Sequence, residues 1–247
     1  MTRSTGSLGR IRRQAGWETR LILRNGEQLV LTVIIPVGLL LALTLTDLLP
    51  QSDGPNSLAE SVATVLTVSV ISAAFTSLAI ATGFERRSGA LRMLSTTPLS
   101  PGELLAGKAL ATVVVTLISS GVVVAVAIAL GWRPAAGAAW AVLLILLGIA
   151  AWAPWALTLA GSLRAEAVLA VANGVFLVVI LFGGVVIPAS ALPAPLADVT
   201  GYLPSGALAQ SLTEALADGQ LSVTSVVVLV AWGVAGTLAG ARTFRWS

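Results

Sequence analysis

Six uninterrupted apolar stretches limit what this chain can become. They run Leu29–Leu49, Leu58–Phe84, Ala109–Leu130, Ala138–Gly161, Ala167–Ile187 and Val223–Ala241. Each is close to the length of about 20 residues that a helix needs to cross a hydrocarbon core about 30 Å thick. No water meets the backbone there, so only helices and closed barrels can cross. None of the stretches alternates polar and apolar with a period of two, which selects helices. Composition agrees. Of 247 residues, 56% are hydrophobic and 10% charged, and the mean hydropathy is +0.94. A soluble domain carries about 25% charged residues, so too few charges are present here to coat a surface in water. The expected fold is all-α: a polytopic membrane protein with six transmembrane helices. The first stretch is too long for the core of a signal peptide, and no small-residue cleavage site follows it.

The charges give an orientation. Thirteen of the fourteen Lys and Arg residues fall on one side of the six spans, and Arg133 alone falls on the other. The positive-inside rule then predicts that both termini and the Phe84–Lys108 loop are cytoplasmic and that the 188–222 segment is outside. A net charge of +3 and a pI of about 10.5 reflect these flanks. Basic residues set between apolar runs are a topology signal, so no nucleic-acid partner is expected. The chain has no cysteine and no histidine. That excludes disulfides, Cys/His zinc sites, His-ligated haem and Ser–His or Cys–His catalysis.

Residues 1–28 are expected to form a cytoplasmic amphipathic elbow, ahead of a single transmembrane domain over 29–247. Arg10, Arg13, Trp17, Arg20 and Arg24 share one helical stripe, and Leu8, Ile11, Ala15 and Ile22 lie opposite. Such a helix suits the headgroup layer, with its arginines near lipid phosphates.

The loop over 84–108 carries most of the detail. Leu91 and Leu94 share a helical face beside Met93. An apolar face between charged shoulders calls for a protein partner or the membrane surface. Thr97-Pro98 breaks the helix, because a residue before proline avoids the α region. Ser100, Pro101 and Glu103 then spell a capping box with proline at the first helical position. The reading is a short cytoplasmic helix, a tight turn and then the third span. Gly102 to Lys108 imitates the start of a phosphate-binding loop, but Ala109 stands where a hydroxyl is needed and no strand precedes it. The chain is therefore expected to bind no nucleotide.

In the outer segment over 188–222, Ser205 is a candidate cap for a helix with Leu208, Leu212, Ala215 and Leu216 on one face, ending near Gly219. That helix is expected to lie on the outer surface or dip partway in. Asp47 and Glu60 sit near span ends, and no charge lies at mid-depth, so ion-coupling machinery is not visible. The second span is rich in hydroxyls. Ser61, Thr64, Thr67, Ser69, Ser72, Thr76 and Ser77 either line a pathway or bond between and within helices. Asn173 in the fifth span is open to the same two readings. Gly236 and Gly240 form a close-approach motif of the kind found at dimer seams.

From Glu85 to Lys108 the chain resembles the permease subunits of type-2 ABC exporters, the group that includes daunorubicin-resistance permeases. The matching residues are Glu85-Arg86-Arg87-Ser88-Gly89-Ala90-Leu91, then Thr97-Pro98-Leu99-Ser100, then Gly107-Lys108. Arg87 and Ala90 depart from the usual acid and threonine. The outer Gly183-Gly184, Pro188, Leu192-Pro193 and Leu203-Pro204-Ser205 also fit in style. The resemblance implies a non-catalytic transport subunit in the bacterial cell membrane. It would pair with a second permease, as a homodimer or with a paralogue. Two cytoplasmic ATPase subunits would carry the ATP and Mg, and the cargo would be a hydrophobic or amphipathic small molecule. It also implies a coupling helix near Gly89–Ser95. Glu85, Arg86, Gly89, Leu91, Met93, Leu94 and Pro98 would contact the ATPase, with Arg86 and Arg92 as surface charges of lesser weight. A haem-export-type permease, and a stand-alone channel or scaffold, are the alternatives.

Overall fold

A computed structural model describes residues 6–46, 57–89, 100–187 and 192–243. All regular structure among them is helical. An entry helix, α1 (Ser7–Arg24), precedes six long apolar helices: α2 (Gly26–Leu45), α3 (Ser57–Arg87), α4 (Pro101–Ala129), α5 (Trp140–Ser162), α6 (Ala165–Phe182) and α9 (Val223–Thr243). Between the last two lie α7 (Ala194–Thr200) and α8 (Pro204–Ala217). The six expected spans are present, with shifted ends.

The shifts have local causes. The capping box forms as read: the Ser100 hydroxyl accepts from the Glu103 amide, and the Glu103 carboxylate accepts from the Ser100 amide. The helix it starts is the third span itself, continuous to Ala129. At 1.5 Å per residue the 31 residues of α3 extend about 45 Å. That exceeds the hydrocarbon core, so α3 and α4 project beyond it beside α1. The fifth span stops at Phe182 rather than Ile187, because Gly183-Gly184 follows and Gly184 takes a left-handed φ of 73°.

Two spans contain a π-helical turn, Val30–Ile34 in α2 and Ser72–Ser77 in α3. The first lies just ahead of Pro36, which has no N–H to give the Thr32 carbonyl four residues back. The Ser119 hydroxyl of α4 donates to that carbonyl instead.

Helix α3 is the most enclosed span, and α2, α6 and α9 are the least enclosed. Helix α8 does not lie on the surface. Its Ser205, Leu208, Leu212 and Leu216 are buried, and it packs chiefly against α3. Ser205 is not its cap. Leu203 holds that position, Pro204 opens the helix, and the Ser205 hydroxyl donates to the Gly183 carbonyl at 3.0 Å. The Gly236 and Gly240 stripe is also reassigned. It faces α5 of the same chain, where added Cβ atoms would meet Trp155 at 2.7 Å and Thr158 at 3.0 Å. The stripe is therefore already used for packing within the subunit.

Gly206 sits where α8 crosses the end of α7. A Cβ there would lie 2.1 Å from the Thr200 carbonyl oxygen. Gly206→Ala is expected to destabilise the protein by about 1–3 kcal/mol through overpacking. A thermal melt in detergent checks this, and an unchanged midpoint contradicts the packing described.

Candidate functional site

On the side where α3 and α4 project, α1 is strapped to them by charge. Lys108 is buried, and its ammonium donates to Glu18 of α1 at 2.9 Å and to Glu85 of α3 at 2.7 Å. Arg10 makes a two-pronged pair with Glu103, at 3.1 Å through Nε and 2.5 Å through a terminal nitrogen. These hydrogen bonds push the Arg10 guanidinium above its already high ordinary value, so it stays charged. Gly107 lets α1 close in, since a Cβ there would lie 2.7 Å from Gln14 Cγ. Ala15 is buried at this contact, while Leu8 is exposed.

This geometry revises one expectation. Arg10 faces Glu103 rather than lipid, whereas Arg13, Trp17, Arg20 and Arg24 remain exposed. The false phosphate loop is the opening of α4, with its lysine held between two carboxylates. Glu18 had no sequence signal, because one acid on a basic helix looks like any exposed charge.

Of the expected coupling residues, Glu85 binds Lys108. Arg86 donates to the carbonyls of Gly161 and Leu163, the latter at 2.6 Å, at the C-terminus of α5. A cation there meets the negative end of the helix dipole. Arg86 is therefore half-buried and structural, not a loose surface charge. Arg87 pairs with Glu166. Gly89 follows the end of α3 with a left-handed φ of 76°, a common way for a helix to stop. Leu91, Arg92, Met93, Leu94 and Pro98 lie outside the described residues.

Deeper in, a cleft of about 340 Å³ opens between α2, α3, α4 and α6. Ser72, Thr76 and Asn173 meet in its wall, as do Ser69 and Ser77. Ser61 and Thr64 are not among its lining residues; Ser61 bonds back to Ser57 at 3.0 Å. Thr67 bonds back to Ala63 at 2.8 Å, the helix-internal reading of its hydroxyl. Asn173 donates to the Leu169 carbonyl at 2.9 Å. Thr32, Thr116 and Ser119 complete its hydroxyl lining and were missed. A signal for two of them existed, since Thr112, Thr116, Ser119 and Ser120 form a polar stripe at helical spacing on α4.

Both π-helical turns border this cleft, supplying Leu31 and Thr32 on one side and Ser72, Thr76 and Ser77 on the other. Such turns recur at functional sites because they interrupt regular packing. The Thr76 and Thr116 hydroxyls are buried without a hydrogen-bond partner. No ionisable side chain lines the cleft among the described residues. A smaller cavity of about 230 Å³ continues from Thr32 and Ser77 to Glu18, Glu85 and Lys108.

Six long apolar helices, four of them around an uncharged, hydroxyl-lined cleft, define a multi-pass membrane protein. The family model described as ABC-2 family transporter protein matches residues 29–242, and the chain belongs to that family. It is thus an ABC permease subunit, a transport rather than a catalytic component, and the family implies association with an ATPase subunit. No curated protein matches the sequence.

Proposed function

We propose that this permease forms half of the membrane pathway of an ATP-driven exporter of the daunorubicin-resistance-like group. Its cargo is an uncharged hydrophobic or amphipathic small molecule, such as a drug, an antibiotic or a lipid-like compound. The cleft carries this reading. Its wall offers apolar surface, hydroxyls and two unpaired buried donors, and no charge. Two of its walls, α2 and α6, belong to the least enclosed spans, which suits closure by a second permease.

Energy comes from outside the chain. Two cytoplasmic ATPase copies hold ATP and Mg and act on the segment between α3 and α4. The strap of α1 onto Lys108 and Glu103 ties that segment's two flanks to the membrane interface, where Arg13, Trp17, Arg20 and Arg24 meet lipid. Both termini face the cytoplasm of a bacterial cell.

Two experiments test this reading. Replacing a buried unpaired hydroxyl by a methyl is nearly neutral for folding. Thr76→Val combined with Thr116→Val should therefore keep wild-type thermal stability. Transport should fall by up to about tenfold per lost cargo hydrogen bond. Unchanged transport and unchanged cargo-stimulated ATP hydrolysis in the double variant would remove the cleft from the pathway. Topology has a test of its own. Ser88→Cys and Gln220→Cys are exposed positions at opposite ends. In intact cells an impermeant thiol reagent should label only the cysteine at 220, and the reverse pattern inverts the orientation.

A further inference from the structure

A third cavity, of about 370 Å³, lies on the other flank of α6, between it, α5 and α9, with Leu203, Pro204 and Ser205 at the opening of α8 also in its wall. Its wall is nearly all apolar. Phe75 packs on Trp152 with ring centroids 5.3 Å apart, and Trp155 on Trp232 at 5.7 Å, while Val175 faces them from α6. Helix α6 packs on the end of α3 and makes little contact with α9, so the slot between them stays open along its length. From Trp152 to Ser162 the wall rises about 15 Å. That is half of a hydrocarbon core about 30 Å thick, the depth of one leaflet.

The slot opens between two lipid-facing surfaces. Val171 and Val178 on α6, and Val230 and Val234 on α9, are exposed. Two exposed arginines, neither of which lines the slot, lie two residues in sequence beyond positions at its α1-side end. Arg164 follows Ser162 by two residues, and Arg242 follows Gly240, which packs on Thr158. We propose that this slot binds one acyl chain of an anionic bilayer phospholipid, with the phosphate held at Arg164 and Arg242. An apolar groove of leaflet depth with two cations beyond its end has the charge pattern of such a lipid. This site is separate from the hydroxyl-lined cleft and does not depend on the proposed cargo.

Quenching by brominated lipid tests the site, using the full chain with Trp152 as its one tryptophan, the other six being replaced by Phe. In nanodiscs of phosphatidylglycerol brominated in mid-chain, Trp152 emission should drop at least about twofold, and Val175→Phe, which fills the slot, should restore it. Arg164→Gln with Arg242→Gln should reduce the preference for phosphatidylglycerol over phosphatidylcholine by about fivefold per arginine. Absent quenching, or quenching that survives Val175→Phe, overturns the site. Equal quenching by both lipids overturns its anionic character. The unaltered chain gives a second reading if the variants fold poorly. A phosphatidylglycerol with a mid-chain photoreactive group should crosslink mainly to residues 149–162 and 171–179. Even labelling of all lipid-facing helices overturns the proposal.

Discussion

Lys108→Ala is expected to be the most destabilising single change in the chain. The ammonium is the shared partner of Glu18 and Glu85, and it is itself buried. Its removal leaves two carboxylates facing each other where α1, α3 and α4 meet. Breaking a buried ion pair from one side costs about 3–5 kcal/mol. For a chain of this size that lowers the thermal midpoint by about 10 °C. Removing the stranded charges as well should recover much of the loss, so Lys108→Met combined with Glu18→Gln and Glu85→Gln should melt well above Lys108→Ala. Scanning calorimetry of the three proteins in one detergent decides the matter. Equal midpoints for wild type and Lys108→Ala would mean that the strap is not a structural element.

The parts of this architecture that depend on local chemistry were legible in the sequence. Runs of apolar residues announce spans, because lipid admits few alternatives. The Ser100–Glu103 cap was legible because both of its hydrogen bonds close within four residues. What escaped depends on a distant partner. Arg86 looked like a loop charge, and only the return of α5 brings the Gly161 and Leu163 carbonyls to it. Ser205 looked like a cap until Gly183 appeared beside it. Gly236 and Gly240 permit any close helix, and sequence does not say whether that helix belongs to the same subunit. The cleft was half legible: the hydroxyls of α3 stood out by density, while Thr32 and Ser119 meet only because Pro36 frees a carbonyl on α2.

The central functional claim is that the segment after Gly89 transmits work from an ATPase. Leu91→Asp and Leu94→Asp bear on it most directly. Both leucines lie in the loop between two spans, so neither substitution should block membrane insertion. Burying a leucine side chain is worth about 1.5–3 kcal/mol. If these leucines seat in an apolar groove on the ATPase, as the proposed coupling helix requires, losing one and placing a carboxylate there should weaken docking at least about tenfold. Arg92→Glu is the control within the loop, since exposed ion pairs are worth about 0–1 kcal/mol. Arg86 does not serve as that control, because its side chain holds the end of α5. The decisive measurement is co-purification of the cognate ATPase with the permease, together with cargo-stimulated ATP hydrolysis. The account predicts that both leucine variants reach the membrane, lose ATPase binding and lose stimulation, while Arg92→Glu keeps them. Leucine variants that bind and stimulate the ATPase at wild-type levels would contradict it.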